Sequence, residues 1–336
     1  MNYHVKNLLV TGAAGFIGSN FVRYMFAHHP EIRIVSLDKL TYAGNLDNLS
    51  AVEQEKNHIF VQGDITDKDL VLNLLRQHQI DTIVHFAAES HVDNSIHNPK
   101  LFLETNIIGT FTLLEAARNY WLDENRWDKT QCRFHHVSTD EVYGSLEEYE
   151  PAFTEQHMYQ PNSPYSASKA GSDHIVRAYF HTYGLPVTTS NCSNNYGPNQ
   201  HKEKLIPKVI QACLNQHPIT VYGNGKNIRD WLYVEDHCEA INVIIQKGTL
   251  GEVYNIGGKN ELDNLSLIRT ICHLMDDIKP TSDSYESLIV FVDDRKGHDK
   301  RYAIDNNKIQ TQLGWTPQGN FIEKLISTIR FYMSVC

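Results

Sequence analysis

Short apolar runs alternate with longer stretches of helical period through the first half of the chain. "LLVT" (8–11), "IRIVSLD", "HIFVQGDIT" and "IDTIVHFAAES" read as strands buried on both faces, because their apolar residues follow one another without strict alternation. Between them "FIGSNFVRYMF", "DKDLVLNLLRQH" and "NIIGTFTLLEAARNY" place apolar residues three and four apart, as helices that bury one face do. Strand and helix in turn predict an α/β fold built on a doubly wound parallel sheet with right-handed crossovers. Beyond about residue 190 the rhythm breaks into loops rich in Asn, Gly and Pro. The expected division is a sheet domain over 1–190 and a smaller lobe over 191–336, with some later segments free to return to the first domain.

The turn after the first strand gives the sheet a chemistry. "KNLLVTGAAGFIGSN" carries glycines at 12, 15 and 18 between strand and helix. Such a turn brings backbone close to a pyrophosphate and aims a helix N-terminus at the anion, the arrangement of a Rossmann-type dinucleotide site. The second strand ends in Asp38, twenty residues after Gly18. A carboxylate there accepts from both adenosine-ribose hydroxyls and repels a 2′-phosphate, so NAD is expected as the cofactor, although Lys39 beside it works against that preference. Asp64 ends the third strand, placed for the adenine edge, and Ala87 and Ala88 after the fourth leave room for a ligand.

Composition narrows the partners. The 336 residues are 41% hydrophobic and 21% charged, ordinary values for a folded soluble protein, and a net charge of −10 with dispersed basic residues argues against a nucleic-acid surface. No apolar run approaches the roughly eighteen residues that span a bilayer, and "MNYHVKNLLVTGAAG" has no secretory pattern, so a cytoplasmic protein is expected. The six cysteines form no Cys-x-x-Cys pair and read as free thiols. The eighteen histidines lack ligand spacing, and no metal is expected.

"SPYSASKAGSDHIVRAYF" puts Tyr165 and Lys169 four residues apart, on one face of a helix. A lysine charge near a phenol lowers its pKa from about 10, which would make Tyr165 a base for removing a hydroxyl proton. Ser138 and Thr139 end a strand upstream, where a hydroxyl can share that proton. Directly after them come two carboxyl groups, Asp140 and Glu141, in "STDEVYG". Adjacent carboxyls raise one another's pKa, so one is expected neutral and the other ionised, the pairing an elimination needs.

Together the glycine turn, the Ser-Thr strand end and Tyr-x-x-x-Lys resemble the extended short-chain dehydrogenase/reductase family. "DKLTYAGNLDNL", "AAESHVDNSI", "STDEVYG", "NCSNNYGPNQHKEKLIP", "IRDWLYVEDH" and "DRKGHDKRYAID" are similar to its nucleotide-sugar 4,6-dehydratases, from about Leu8 to Trp315. Within them the match is to the group acting on dTDP-glucose. The resemblance implies NAD-mediated oxidation at C4, loss of water across C5 and C6, and hydride return to C6. It implies catalytic roles for Thr139, Asp140, Glu141, Tyr165 and Lys169. Cofactor contacts are implied at Gly12, Gly15, Phe16, Ile17, Gly18, Asp38, Lys39, Thr41, Asp64, Ile65, Ala87, Ala88, Ser90, Thr105, Tyr165, Lys169 and Asn195. A homodimer is expected, since enzymes resembling this one pair through "NIIGTFTLLEAARNYW" and the helix after Tyr165.

For the sugar nucleotide, candidates are Ser90, Thr139, Asn194, Lys204, Leu205, Tyr222, Arg229, Asn264, Arg295 and His298, with Lys204, Arg229 and Arg295 suited to gripping a diphosphate. The chain departs from the family at Asn94, where arginine is usual, and at Lys296, where proline is usual. The first removes a charge near the sugar pocket; neither touches the catalytic set. Two alternatives stay open: the same chemistry on a UDP- or GDP-linked sugar, and a UDP-sugar 4-epimerase, which needs Tyr165 and Lys169 but not the acid pair.

Overall fold

A computed structural model describes residues 3–294 and 298–335. The strands are β1 (Asn7–Thr11), β2 (Arg33–Asp38), β3 (His58–Gln62), β4 (Thr82–His85), β5 (Arg133–Thr139), β6 (Val187–Cys192), β7 (Asn194–Tyr196), β8 (Ile219–Tyr222), β9 (Ile228–Tyr233), β10 (Val253–Ile256), β11 (Glu261–Asp263) and β12 (Ile289–Val292). Seven form one sheet in the order β10-β6-β5-β4-β1-β2-β3, and every pairing in it is parallel. The order reverses between β1 and β4, and a crevice opens at such a point beyond the strands' C-terminal ends.

Helices α1 (Phe16–His28), α2 (Lys68–Gln77), α3 (Val92–His97), α4 (Pro99–Phe102), α5 (Thr110–Ala117) and α6 (Pro164–Tyr183) come from the first part of the chain. The later ones are α7 (Leu205–Asn215), α8 (Val234–Lys247), α9 (Asn264–Ile278), α10 (Asn307–Leu313) and α11 (Phe321–Val335). Neighbouring residues of β1 point to opposite layers. Leu8 and Val10 join Phe21 and Met25 of α1 and Ile241 and Ile244 of α8, whereas Leu9 joins Val71 and Leu75 of α2, Leu113 of α5 and Val176 of α6. Both faces are therefore covered, which is why these strands read as unbroken apolar runs.

Residues past 190 do not all leave this sheet: β10 forms its outer edge beside β6, and α8 packs on the α1 side. Ile309 and Leu313 of α10 join the same core, and a separate core around Ile206, Ile210, Ile268, Ile271, Leu325 and Ile329, backed by the small sheets β11-β9-β7 and β12-β8, makes a second lobe. Two histidines stand in the middle of β5, fully buried. His135 bonds Thr188 at 2.9 Å and Ser190 at 3.1 Å, so both its ring nitrogens are satisfied inside the sheet, whereas His136 bonds Asp173 through Nε2 at 3.0 Å and its Nδ1 has no partner among the described residues. Burial pushes both histidines well down, and they are neutral sheet residues. Among the described residues no helix is long and apolar enough to cross a membrane.

Candidate active site

Gly12 turns at φ +67°, and a Cβ there would lie 2.7 Å from the Ala87 nitrogen; a Cβ on Gly18 would lie 2.2 Å from the Gly12 carbonyl oxygen. Only glycine lets the β1 turn approach β4 and α1 this closely. Gly15 precedes α1, whose first turn has no side-chain cap and no acidic residue, so its amides stay available to an anion. Asp38 braces the turn from β2, its Oδ2 accepting from the Ala14 amide at 2.9 Å and its Oδ1 from the Leu40 amide at 2.7 Å. The Lys39 ammonium lies 2.7 Å from Asp64. That bridge engages a charge that would have welcomed a 2′-phosphate. Burial opposes it, but Lys39 and the Thr66 amide and hydroxyl hold the Asp64 carboxyl below its usual range.

The helix after α4 carries a wide π-type turn at Leu103–Gly109. It brings Asn106 to the loop after β4, where its side chain accepts from the Glu89 amide at 2.9 Å and donates to the Glu89 carbonyl at 3.0 Å and to Ser168 at 2.8 Å. Asn106 thereby locks this loop to α6. A lone asparagine inside an apolar helical stripe was its signal in the sequence, and it was not among the expected residues.

At the end of β5, Thr139 caps a single helical turn, Asp140–Tyr143, its hydroxyl accepting from the Glu141 amide at 3.3 Å. The same hydroxyl stands 3.3 Å from Asp140 Oδ1 and is hydrogen-bonded to Tyr165. Lys169, one turn along α6, donates to the Val137 carbonyl at 2.8 Å. Burial, then Glu141 and Asp230, push Asp140 well above the carboxylate range, which favours its protonated form. Burial and Glu141 also push the Tyr165 phenol well up, with the Thr139 hydrogen bond working against them. The expectation that Lys169 dominates and lowers the phenol does not describe the protein alone: water has been excluded, and the lysine's own proton is shared with a backbone carbonyl.

One cleft gathers the expected cofactor residues, from Gly12, Gly15, Phe16, Ile17 and Gly18 through Asp38, Lys39, Thr41, Asp64 and Ile65 to Ala87, Ala88, Ser90, Thr105 and Asn195. Thr139, Asp140, Glu141, Tyr165 and Lys169 line it as well. Tyr42, His201 and Glu203 also line it and were not expected; Glu203 pairs with His91 at 3.8 Å and His201 at 3.5 Å.

The substrate candidates divide. Ser90, Asn194 and Lys204 line the cleft, with Lys204 donating to the Ser90 carbonyl at 3.2 Å, and Leu205 follows as the first residue of α7. Tyr222, Arg229, Asn264 and His298 stand outside its lining, on the second lobe. Tyr222 packs edge-on to His298, whose Nδ1 lies 2.6 Å from Asp294, and Asn264 opens α9. Arg229 is buried over the Tyr302 ring at 4.3 Å, with its guanidinium donating to the Ile228 and Asp299 carbonyls. Its charge acts on Asp140, and Glu141 acts on Tyr302, so the acid pair faces the second lobe. Asn94 is exposed on α3. Arg295 and Lys296 lie outside the described residues.

The family model for GDP-mannose 4,6 dehydratase matches residues 9–328. A dTDP-glucose 4,6-dehydratase of Xanthomonas campestris is 54% identical over 97% of this chain and 93% of its own, and one of Escherichia coli is 51% identical over 97% and 92%. Among solved structures, a dTDP-glucose 4,6-dehydratase of Streptomyces venezuelae, crystallised with NAD and dTDP, superposes with a TM-score of 0.89 at 46% identity over 98% of this chain and 97% of that one. A UDP-glucose 4-epimerase of Thermotoga maritima shares the fold at 0.85 but only 27% identity, over 98% and 99%. By the family match, and by relatives about half identical along nearly the whole length, the chain belongs to the nucleotide-sugar 4,6-dehydratase family.

Proposed function

We infer that the protein converts dTDP-glucose to dTDP-4-keto-6-deoxyglucose and water, with NAD as its cofactor. The observation that carries this reading is the Asp140–Glu141 pair, set in the cleft beside Thr139, with Asp140 buried and its protonated form favoured by that burial. The glycine turn, the Asp38 carboxylate and the Lys39–Asp64 bridge fit NAD and disfavour an added 2′-phosphate. NAD, held by the glycine turn and Asp38, would supply a hydride acceptor for C4 and donor for C6, and its positive charge would add to that of Lys169 in favouring the Tyr165 phenolate.

The chain's own groups move the protons. Tyr165 takes the C4 hydroxyl proton while Thr139 holds the same oxygen. The C4 ketone makes the C5 hydrogen acidic, and Glu141 removes it as a base. Asp140 protonates the C6 oxygen, which leaves as water, and Glu141 returns its proton to C5. Acid and base assistance of this kind contributes about 10²–10⁴-fold each. An epimerase has no use for that pair, and the curated relatives near half identity are dehydratases.

The protein works as a homodimer in the cytoplasm. Ile108 and Phe111, exposed on the helix facing α6, support pairing, and five described cysteines, buried and free, are in keeping with a reducing compartment. The test is incubation of the purified protein with dTDP-, UDP- and GDP-glucose in competition. The dTDP sugar should be consumed first and a 4-keto-6-deoxy product formed, and a protein forming only the C4 epimer would sink the reading.

A further inference from the structure

Two groups change protonation in opposite senses during the proposed dehydration, and the relay inferred from them rests on that reading. Tyr165 begins as phenolate and ends protonated; Asp140 begins as the acid and ends as carboxylate. Glu141 takes a proton from C5 and gives one back. The sugar loses one water, no net proton is taken from or given to the medium, and the enzyme is left with one proton on the wrong residue.

We propose that the Thr139 hydroxyl passes this proton from Tyr165 to Asp140, recharging the general acid inside the protein at every turnover. The Tyr165 O–H bond breaks as its proton joins Thr139 Oγ1, while the proton already on Thr139 moves to Asp140 Oδ1. No electrons change hands, and both end groups return to their starting forms.

The connectivity is in place. Thr139 is hydrogen-bonded to Tyr165, its oxygen lies 3.3 Å from Asp140 Oδ1, and the Glu141 amide donates to that oxygen at 3.3 Å, fixing its position. The hydroxyl has one proton and two acidic neighbours, so it donates to whichever is anionic. The 3.3 Å contact is long for a transfer, as catalytic hydrogen bonds often are before substrate tightens them. Access from water is poor: Asp140 is 2% exposed, Thr139 8% and Tyr165 9%. Among the described residues Thr139 is the one hydrogen-bond partner of the Asp140 carboxyl, and Oδ2 has none, leaving it free to meet the C6 oxygen. The drive is also present, because burial, Glu141 and Asp230 all favour the protonated form of Asp140.

The full-length enzyme, purified with its cofactor, would be studied by rapid quench with dTDP-glucose as wild type, Thr139→Val and Thr139→Ser. Thr139→Val should make about one product per site in a slowed first turnover, then continue about tenfold or more slower, because Asp140 regains its proton only from the medium. That second phase should accelerate with added acetate buffer at constant pH. Thr139→Ser, which keeps the hydroxyl, should show neither the burst nor the buffer dependence. A Thr139→Val enzyme with no burst and no buffer response overturns the relay, as does a Thr139→Ser enzyme that behaves like it. If wild type forms no 4-keto-6-deoxy sugar the underlying reaction is wrong, a failure distinct from product formation with buffer-insensitive Thr139→Val.

Discussion

Asp173 accepts the Ser138 hydroxyl at 2.9 Å from its place one helical turn beyond Lys169 on α6, joining that helix to the strand end that bears Thr139. The carboxylate also meets His136 at 3.0 Å and the Tyr159 hydroxyl, and its charge favours the ammonium of Lys169, which burial otherwise disfavours. The remaining titratable neighbours of Lys169, His85 and His136 from β4 and β5 and Cys192 from β6, leave Asp173 as its counter-charge. Burial pushes Asp173 itself up to about 6.

Asp173→Asn should therefore reshape the pH profile as well as lower kcat. Without the anion Lys169 gives up its proton more easily, so the alkaline limb should move to lower pH by about one unit. The wild-type decline below about pH 6, where Asp173 gains a proton, should be absent from the variant. Profiles of kcat for both enzymes, with saturating dTDP-glucose, decide it. A uniform loss of rate at every pH would mean that Asp173 only braces the fold.

Asp140 makes a second prediction, about stability. Its folded-state pKa is raised, so the fold binds a proton that the unfolded chain has released once the pH exceeds about 4. Stability is thus fully present below that value and is lost as the pH rises toward the folded pKa. Asp140→Asn keeps the shape and cannot ionise. It should abolish turnover yet raise the thermal midpoint at pH 8 by about 2–4 °C, the gain fading as the pH falls toward 4. Thermal melts across that range, on both proteins, would reveal the crossing pattern or its absence.

What the sequence made legible was what local spacing encodes. The glycine turn, Asp38 at a strand end, Tyr165 and Lys169 on one helix face and the Asp140–Glu141 step each occupy a few neighbouring positions, and each lines the cleft. Asp173 was within reach of the same reasoning, lying four residues past Lys169. Arg229 was not. Its guanidinium meets the Tyr302 ring and the Asp299 carbonyl, about seventy residues later, and spacing says nothing about a neighbour that distant. The same holds for β10: four apolar-leaning residues announce a strand, but that it closes the first sheet beside β6 depends on α8 crossing back over α1. The direction of the Tyr165 phenol in the protein alone was not legible for another reason, since it follows from how much water is excluded around it.

Gly12→Ala should fold and lose its cofactor. The left-handed φ of +67° strains alanine by about 1 kcal/mol, and the Cβ would meet the Ala87 nitrogen at 2.7 Å, forcing the turn away from β4. Gly184→Ala is the control: it has φ +71° and nothing within 4 Å of the added carbon, so it carries the strain without the collision. NAD released per chain on acid denaturation should fall at least about tenfold for the first variant and stay at the wild-type level for the second. Equal retention in both would mean that the close approach of Gly12 to Ala87 does not shape the cofactor site.

The last prediction concerns assembly. Leu103, Ile108 and Phe111 are 47%, 51% and 42% exposed along one helical run, with Ile96 of α3 at 44% just before it and Tyr183 of α6 at 49%. Single exposed apolar residues are ordinary, but a row on adjacent helices is the kind of face that pairs with its own copy, and a two-fold contact uses each residue twice. A stable dimer buries about 800 Å² on each partner, and an apolar side chain sealed there contributes about 1.5–3 kcal/mol. Ile108→Glu would replace that gain by a buried carboxylate in each copy, a double penalty. Wild type should therefore show a solution mass of twice 38.5 kDa by light scattering, and Ile108→Glu a single chain with its cofactor still bound, because Ile108 is not among the residues lining the cleft. A wild type that stays at one chain mass at micromolar concentration removes the case for pairing, and an Ile108→Glu dimer moves the interface elsewhere.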